Sequence, residues 1–349
     1  MSFSKKNIIL ILVLGFSLNA NSQGSAHIST QDSKTGYDTT RIQDLSNQLS
    51  VWLYSIKKIY SLKMTNTDTK QNLILLPNEQ TNIGFGFNYK WMGIGIAIKP
   101  PWAKNDDDVY GKTKRIDFQL NIFTRSFGID FSAQYYKGYY LKNPSDFLEW
   151  NKPEYPQLKD LETLSTELSA YYFFNHRKFS YRAAFVRNEI QKKGAGSLIA
   201  GTYIRFDLGV SQGSFVPEEL QDTLNNTFML NSYLSGNYGL SFGYTYTFVI
   251  WKKFFINLSL VPGLGFKTMV VNTTEGNFKP KIGLSARALF RSAIGYEHKY
   301  FYLGVSSISI SNSFSYKNID IAASTSKFRF FIGKRFNISK KKEEPKENY

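Results

Sequence analysis

Arg115-Ile116-Asp117-Phe118-Gln119-Leu120-Asn121-Ile122, followed after a short break by Phe127-Gly128-Ile129-Asp130-Phe131-Ser132-Ala133-Gln134-Tyr135, is the stretch that decides the fold. In both halves apolar side chains alternate with small, polar or charged ones. A period of two means β-strand, because successive side chains leave the backbone on opposite faces of the sheet. One face is therefore apolar and the other polar. The break between them, Arg125-Ser126, is short enough to make the pair an antiparallel hairpin.

The same pattern recurs along the chain. Strands are expected at Ser50–Lys63, Thr81–Lys90, Gly93–Lys99, Thr113–Thr124, Phe127–Tyr140, Leu161–Phe174 and Lys178–Ile190. Others follow at Ser197–Gly209, Tyr238–Ile250, Phe254–Phe266, Lys281–Tyr296, Tyr300–Ser313 and Lys327–Ile338. Many reach the roughly 9–11 residues that a tilted strand needs to cross a bilayer. An even count asks for one more, either near Thr227–Leu234 or at Leu73–Leu76. The expected fold is all-β, a transmembrane antiparallel up-and-down β-barrel of about 12–14 strands.

Connections fall into two sizes. Tight ones sit at Trp91-Met92, Arg125-Ser126, Asn175-His176-Arg177, Trp251-Lys252-Lys253 and Glu297-His298-Lys299. Long ones span Pro100–Lys112, Leu141–Asp160, Ser211–Asn237, Lys267–Pro280 and Phe314–Ser326. Outer-membrane barrels pair short periplasmic turns with longer outer loops, and this asymmetry fits them. Aromatic clusters at Tyr135 to Tyr140, Tyr171 to Phe174 and Tyr300 to Tyr302 match the girdles such barrels place at head-group level. A soluble sandwich would solvate one face of each sheet, and the apolar bulk on nearly every strand argues against it.

The ends of the chain read differently. Lys5 and Lys6 precede nine apolar residues, Ile8–Phe16, and then Leu18-Asn19-Ala20. Nine residues are too few to span a bilayer as a helix, and the pattern is that of a cleaved signal peptide. The expected organisation is a signal peptide over 1–20, a polar N-terminal segment over 21–48, the barrel over 49–338 and a charged periplasmic tail over 339–349. Arg41–Leu49 is expected to form a short amphipathic turn before the first strand.

The net charge is +16, and removing both leader lysines leaves +14. An exported barrel does not meet nucleic acid, so the expected counter-charges are outer-membrane lipid and the phosphates of lipopolysaccharide. With no cysteine in the chain, disulfides, thiolate metal sites and a lipobox are excluded. No cofactor is expected.

Asn82-Ile83-Gly84-Phe85-Gly86-Phe87-Asn88-Tyr89-Lys90-Trp91, Asn105-Asp106-Asp107-Asp108 with Tyr110-Gly111-Lys112-Thr113-Lys114, and Gln134-Tyr135-Tyr136-Lys137-Gly138-Tyr139-Tyr140 form a distinctive series. Together with Tyr181-Arg182-Ala183-Ala184-Phe185 and Gln191-Lys192-Lys193-Gly194-Ala195-Gly196-Ser197, they resemble an uncharacterised family of Bacteroidetes exported barrels. That family is classed only as a domain of unknown function. The resemblance runs from about Tyr37 to Ile338. It implies a barrel in the outer membrane and carries no activity.

Candidate sites are few. Asp106, Asp107 and Asp108 offer hard oxygen ligands of the kind Ca²⁺ takes, without the alternation and glycine of an EF-hand loop, and are expected to be a solvated run. Gly209-Val210-Ser211-Gln212-Gly213 and Gly239-Leu240-Ser241-Phe242-Gly243 match the nucleophile-elbow spacing but lack the strand-to-helix turn it needs. His298 beside Glu297 is the best placed histidine for a lipid hydrolase or acyltransferase, though a turn histidine facing water is the commoner case. No catalytic residue is assigned.

By alternation, Arg115, Asp117, Gln119, Asp130, Gln134, Arg182, Arg287 and Arg291 point into the lumen. Such residues either pair into a rigid plug or line a water-filled pore that favours anions. The expected role is structural, interactive or passively transporting. A narrow anion channel is the alternative, and a lipid-modifying enzyme a more distant one.

Overall fold

A computed structural model describes residues 36–338, apart from 91, 104–105, 225–227, 229, 274–275, 278–280 and 317. The expected signal peptide, most of the polar segment after it and the tail from residue 339 lie outside the described residues. The strands in chain order are β1 (Ile42–Asp44), β2 (Gln48–Asn66), β3 (Asn72–Leu76), β4 (Asn82–Tyr89), β5 (Met92–Ile98), β6 (Lys114–Phe123), β7 (Phe127–Leu141) and β8 (Gln157–Phe173). They continue as β9 (Glu189–Gln191), β10 (Ala195–Val210), β11 (Leu230–Ile250), β12 (Phe254–Thr273), β13 (Gly276–Asn277), β14 (Lys281–Glu297), β15 (Phe301–Tyr316) and β16 (Ile319–Asn337).

Fourteen of these strands belong to one antiparallel sheet, and ten close it into a ring. The ring runs β2, β16, β15, β14, β12, β11, β10, β8, β7 and β3, and β3 returns to β2. The β16–β2 ladder closes it over the full length of both strands, from Asn337↔Gln48 to Ile319↔Asn66. The expected barrel is there, with the sheet at the upper end of the expected strand number and the closed ring below it. Leu73–Leu76 is the extra strand, while Thr227–Leu234 supplies only the start of β11.

Three expectations fail. A short helix, α1 (Asp107–Tyr110), sits in the connection before β6, and Lys178–Ile190 is not a strand but a folded insertion that contains a second, α2 (Tyr181–Phe185). Four aromatic or apolar residues at Phe179, Tyr181, Phe185 and Ile190 gave it a strand-like look, but they pack inward from a turn of helix. The supposed long loops Lys267–Pro280 and Phe314–Ser326 are mostly strand, because β12, β15 and β16 extend past the apolar belt with polar outward residues. Arg41–Leu49 holds the short strand β1, paired with β9.

Alternation sorts the side chains. On β12, Leu258, Leu260 and Leu264 point outward and are exposed, whereas Asn257, Ser259 and Lys267 are buried inside. Leu240 and Leu284 keep 73% and 78% of their surface outside the barrel, which only a nonaqueous surrounding makes favourable. On β15 and β16 the outward residues change from Phe301, Leu303, Val305, Phe328 and Phe330 to serines. There Ser309 meets Ser326 at 2.9 Å and Ser324 donates to Ser311 at 3.0 Å. This change marks one edge of the apolar belt.

The wall between β2 and β7 is built in two tiers. Near one rim β3 bridges them, through Leu62↔Leu75 and Leu75↔Leu141. Below it, β4 continues on β2 and carries β5, while β6 pairs with β7. Among the described residues β5 and β6 share no ladder. Gly84 and Gly86 are needed in β4, since a side chain there would strike the rings of Tyr54 and Trp52.

The belt gives a test. Leu260→Arg is expected to destabilise the folded barrel by about 2–4 kcal/mol in bilayers, whereas Ser311→Arg in the serine band is expected to cost about 0–1 kcal/mol. Reversible unfolding in lipid vesicles measures both, and equal losses would contradict the position of the belt.

Candidate functional site

The interior is filled in three tiers. At the rim that carries the longer connections, the segment after β10 folds inward. Ser211 Oγ and the Gln212 N–H donate to Asp160 at 2.9 and 2.6 Å, and the Phe215 N–H donates to the Leu230 carbonyl at 2.7 Å. Those bonds turn Phe215, Val216, Leu220, Leu224 and Phe228 into the ring, where they are buried with Leu62, Met64, Tyr139, Tyr233 and Val271. An apolar plug results.

The middle tier is charged. Arg205 on β10 pairs with Asp207 at 2.7 Å and with Glu167 on β8 at 3.2 Å. Arg287 on β14 pairs with the other oxygen of Glu167 and donates to Ser169 and Tyr171 at 3.2 Å each. Arg291 pairs with Asp130 and donates to the Tyr181 hydroxyl at 3.3 Å. Across the lumen Lys58 meets Asp117 at 2.7 Å, with Gln119 and Gln134 donating to the same carboxylate at 2.8 and 3.1 Å. Thr325 on β16 donates to Gln134 at 3.1 Å, so the network ties facing walls together.

The third tier is the insertion between β8 and β10, at the end where β2 begins and β16 finishes. Ser180 caps α2, its Oγ accepting from the Ala183 N–H at 3.0 Å and donating to Glu189 at 2.5 Å. Glu189 also receives Arg182 at 3.0 Å and Arg125 at 3.1 Å. Arg187, at φ +70°, lies between the Phe255 and Phe331 rings, 4.4 Å from each, and reaches Glu297 at 3.4 Å. Arg335 donates to Glu297 at 2.8 Å and to the Arg187 carbonyl at 2.7 Å, fastening the insertion to the last strand. Burial draws the Arg187 guanidinium down to about 10, which still leaves it charged at neutral pH. A cavity of about 10 Å³ beside Ala183, Ala184 and Phe255 has room for about one water.

The sequence-derived lumen residues are thus brought together unevenly. Asp117, Gln119, Asp130, Gln134, Arg287 and Arg291 share the charged tier. Arg115 stands at its margin, donating to Asn82 at 3.0 Å across the gap between β6 and β4. Arg182 belongs to α2 and reaches Glu189, not the middle tier. Glu167, Arg205 and Asp207 were missed, although Ser165-x-Glu167-x-Ser169 and Arg205-x-Asp207 carry the same alternating signal. Asp106, Asp107 and Asp108 do not converge: Asp107 accepts from Asn78 at 3.2 Å and Asp106 from Gln80 at 3.5 Å. Among the described residues no group of three or more histidine or acidic side chains is arranged to hold a metal. His298 Nδ1 accepts the Tyr300 N–H at 3.4 Å within its own turn.

The sequence profile of a family described as Domain of unknown function (DUF4421) matches residues 36–336. The chain belongs to this family. No curated protein matches the DUF4421 chain by sequence. Among solved structures it is similar to the outer membrane protease OmpT from Escherichia coli, at 9% identity and a TM-score of 0.39, over 84% of this chain and 98% of that one. It is also similar to the translocator domain of the autotransporter NalP from Neisseria meningitidis, at 6% identity and a TM-score of 0.29, over 87% and 91%. The toluene transporter TodX of P. putida follows at 7% identity and a TM-score of 0.24, over 84% and 92%. None of these likenesses carries an activity to the DUF4421 chain.

Two substitutions test the tiers. Glu167→Ala leaves two buried guanidinium groups short of their shared partner and is expected to cost about 3–5 kcal/mol, with Glu167→Gln losing less. Vesicle unfolding measures both, and a neutral Glu167→Ala would contradict the network. At Glu189 burial raises the carboxyl above its ordinary 4.5, against the lowering by Arg182 and Arg125. The folded state then holds this proton more tightly than the unfolded one. Its stabilising share is complete below the ordinary value and is lost as pH rises through the raised one. Glu189→Gln is expected to flatten that part of the stability profile, and an unchanged slope would contradict the assignment.

Proposed function

We propose that this chain is an integral outer-membrane β-barrel that works as a closed body, structural or interactive, and not as an open pore. The observation that carries this reading is the lumen itself. Arg205, Arg287 and Arg291, the cations an anion path would need free, are spent on Glu167, Asp207 and Asp130. An apolar plug lies on one side of them and the α2 insertion on the other. A charged ring selects ions only where water reaches it, and paired charges between two plugs form a polar core instead.

The setting follows from the same features. Export is assigned to a signal peptide over residues 1–20, and the resemblance to exported Bacteroidetes barrels supports a Gram-negative envelope. The end where β2 begins and β16 finishes is taken as periplasmic, as in barrels with both termini inside, so the apolar plug of Phe215, Val216, Leu220, Leu224 and Phe228 faces outward. Outer-membrane lipid and lipopolysaccharide phosphates are the expected neighbours of the basic surface.

Conductance tests this reading. The refolded mature chain in planar bilayers is expected to stay silent under a salt gradient while circular dichroism reports folded β-structure. Steady anion-selective steps that change in Arg287→Ala would replace the closed-body reading with a channel.

A further inference from the structure

The break between β3 and β4 leaves a cleft of about 430 Å³ on the outer face, whose lining includes Ser55, Lys57, Glu79 and Trp102. Below it the wall has a second interruption, the seam between β5 and β6, and the lumen behind that seam is less filled than the rest. On β8 every inward residue from Leu161 to Phe173 is buried, and on β12 every one from Phe255 to Val271. Around the seam the pattern changes. Gly93 and Gly95 of β5 face inward, level with Asn88 and Gly86 of β4, and are nevertheless exposed. Asn121 of β6 is exposed too, while Gln119 of β6, Ser132 of β7 and Ser306 of β15 are only half-buried. Unpaired backbone within a bilayer is tolerated where it lines a wet cavity, and these reachable inward residues outline one behind the edges of β5 and β6.

One cation faces this void without a counter-charge. Arg329 of β16, half-buried, lies over the Trp52 and Tyr54 rings, 5.6 and 5.1 Å from their centres. Among the described residues it has no ion-pair partner, and its Nε and the Trp52 Nε1 are buried without a hydrogen-bond partner. The next inward residue, Lys327, is buried opposite Lys58, and the carboxylate near both, Asp117, is bonded to Lys58 at 2.7 Å. Asp130 is likewise held by Arg291. A guanidinium in such a place is costly unless an anion reaches it. The way to it is apolar. The Trp52 ring covers Gly86 and Gly95 and the Tyr54 ring covers Gly84, so a flat aromatic floor runs from Arg329 to Ala97 and the seam. Outside the seam Phe85, Ile96, Ile116 and Phe118 are exposed toward lipid.

We propose that this void binds an amphiphilic carboxylate, a fatty acid entering from the bilayer, with its carboxylate on the Arg329 guanidinium and its chain along Trp52 and Ala97 toward the seam. The guanidinium fork matches a planar carboxylate. One uncompensated, reachable cation calls for a single negative charge, and the apolar floor beside it calls for a hydrocarbon tail. The site rests on the barrel reading above and adds its ligand class. It needs no passage through the apolar plug or the α2 insertion, because the seam opens sideways.

Native mass spectrometry of the full mature chain in nonionic detergent, titrated with oleate, is expected to show a single bound oleate. Oleyl alcohol, with the same tail and no charge, is expected to bind about tenfold more weakly. Arg329→Gln is expected to bring oleate down to the level of oleyl alcohol, and Ala97→Phe, which fills the floor beside Trp52, to weaken both. Undiminished oleate binding in Arg329→Gln and in Arg329→Ala would overturn the site. Equal binding of oleate and oleyl alcohol by the unsubstituted chain, or displacement of oleate by an equal concentration of inorganic phosphate, would overturn the amphiphilic carboxylate as the ligand class. Gel heat-modifiability and protease protection in vesicles report folding and insertion separately, so a failure of the barrel reading is distinguishable from a failure of the site.

Discussion

Closure of the ring by the β2–β16 ladder is the constraint on which the rest of the structure depends. These are the first and last long strands of the chain, each 19 residues long, and their pairing leaves neither with an open edge on that side. In a bilayer an unpaired backbone amide or carbonyl has no water to turn to, so a sheet becomes tenable by joining its own ends. Closure also fixes the faces. Once Lys334 is opposite Val51 and Arg335 opposite Ser50, one set of alternating residues looks outward along the whole perimeter and the other looks in.

A ring of ten strands is wider than one that side chains alone fill, which is the case at about eight. The extra width has to be occupied or flooded. Here it is occupied by two inserted segments of different character and, between them, by long side chains that span the remaining distance. Arginine suits that place because its fork serves two acceptors at once, as Arg205 does for Glu167 and Asp207. The desolvation cost of burying such charges is offset by opposite charge at close range, as Glu167 supplies to Arg205 and Arg287 and Asp130 to Arg291.

Much of this was legible in the chain, and the limits have physical reasons. Alternation exposes a strand wherever its two sides differ, so β6, β7 and β12 could be located and Arg287, Arg291 and Asp130 turned inward without coordinates. It is blind to pairing: nothing local says that Arg287 will find Glu167, 120 residues away. It also fails where an inserted segment mimics it. Phe179 to Ile190 carries enough apolar residues to read as a strand, while its helix is short and held by Ser180 and Arg182 reaching Glu189 within the insertion, and by Glu297 and Arg335 from distant parts of the chain. The start of β16 reads as loop because its outward face, Asp320, Ala322, Ser324 and Ser326, carries no large apolar residue, although Ile319, Ile321 and Ala323 are buried on the inner face.

The interrupted wall shows what a local departure from ideal closure does. The ladder on β2 passes from β3 to β4 with a shift of one residue, from Leu62↔Leu75 to Ile56↔Asn82. A continuous partner strand would have covered the outer face of β2 around Ser55 and Lys57 with its own side chains. The break leaves that stretch open at the height where the belt ends, and the side chains that meet there are polar. Arg115 reaches across the inner side of the same gap to Asn82. The contact across the gap inside and the cleft outside are thus two consequences of one interruption.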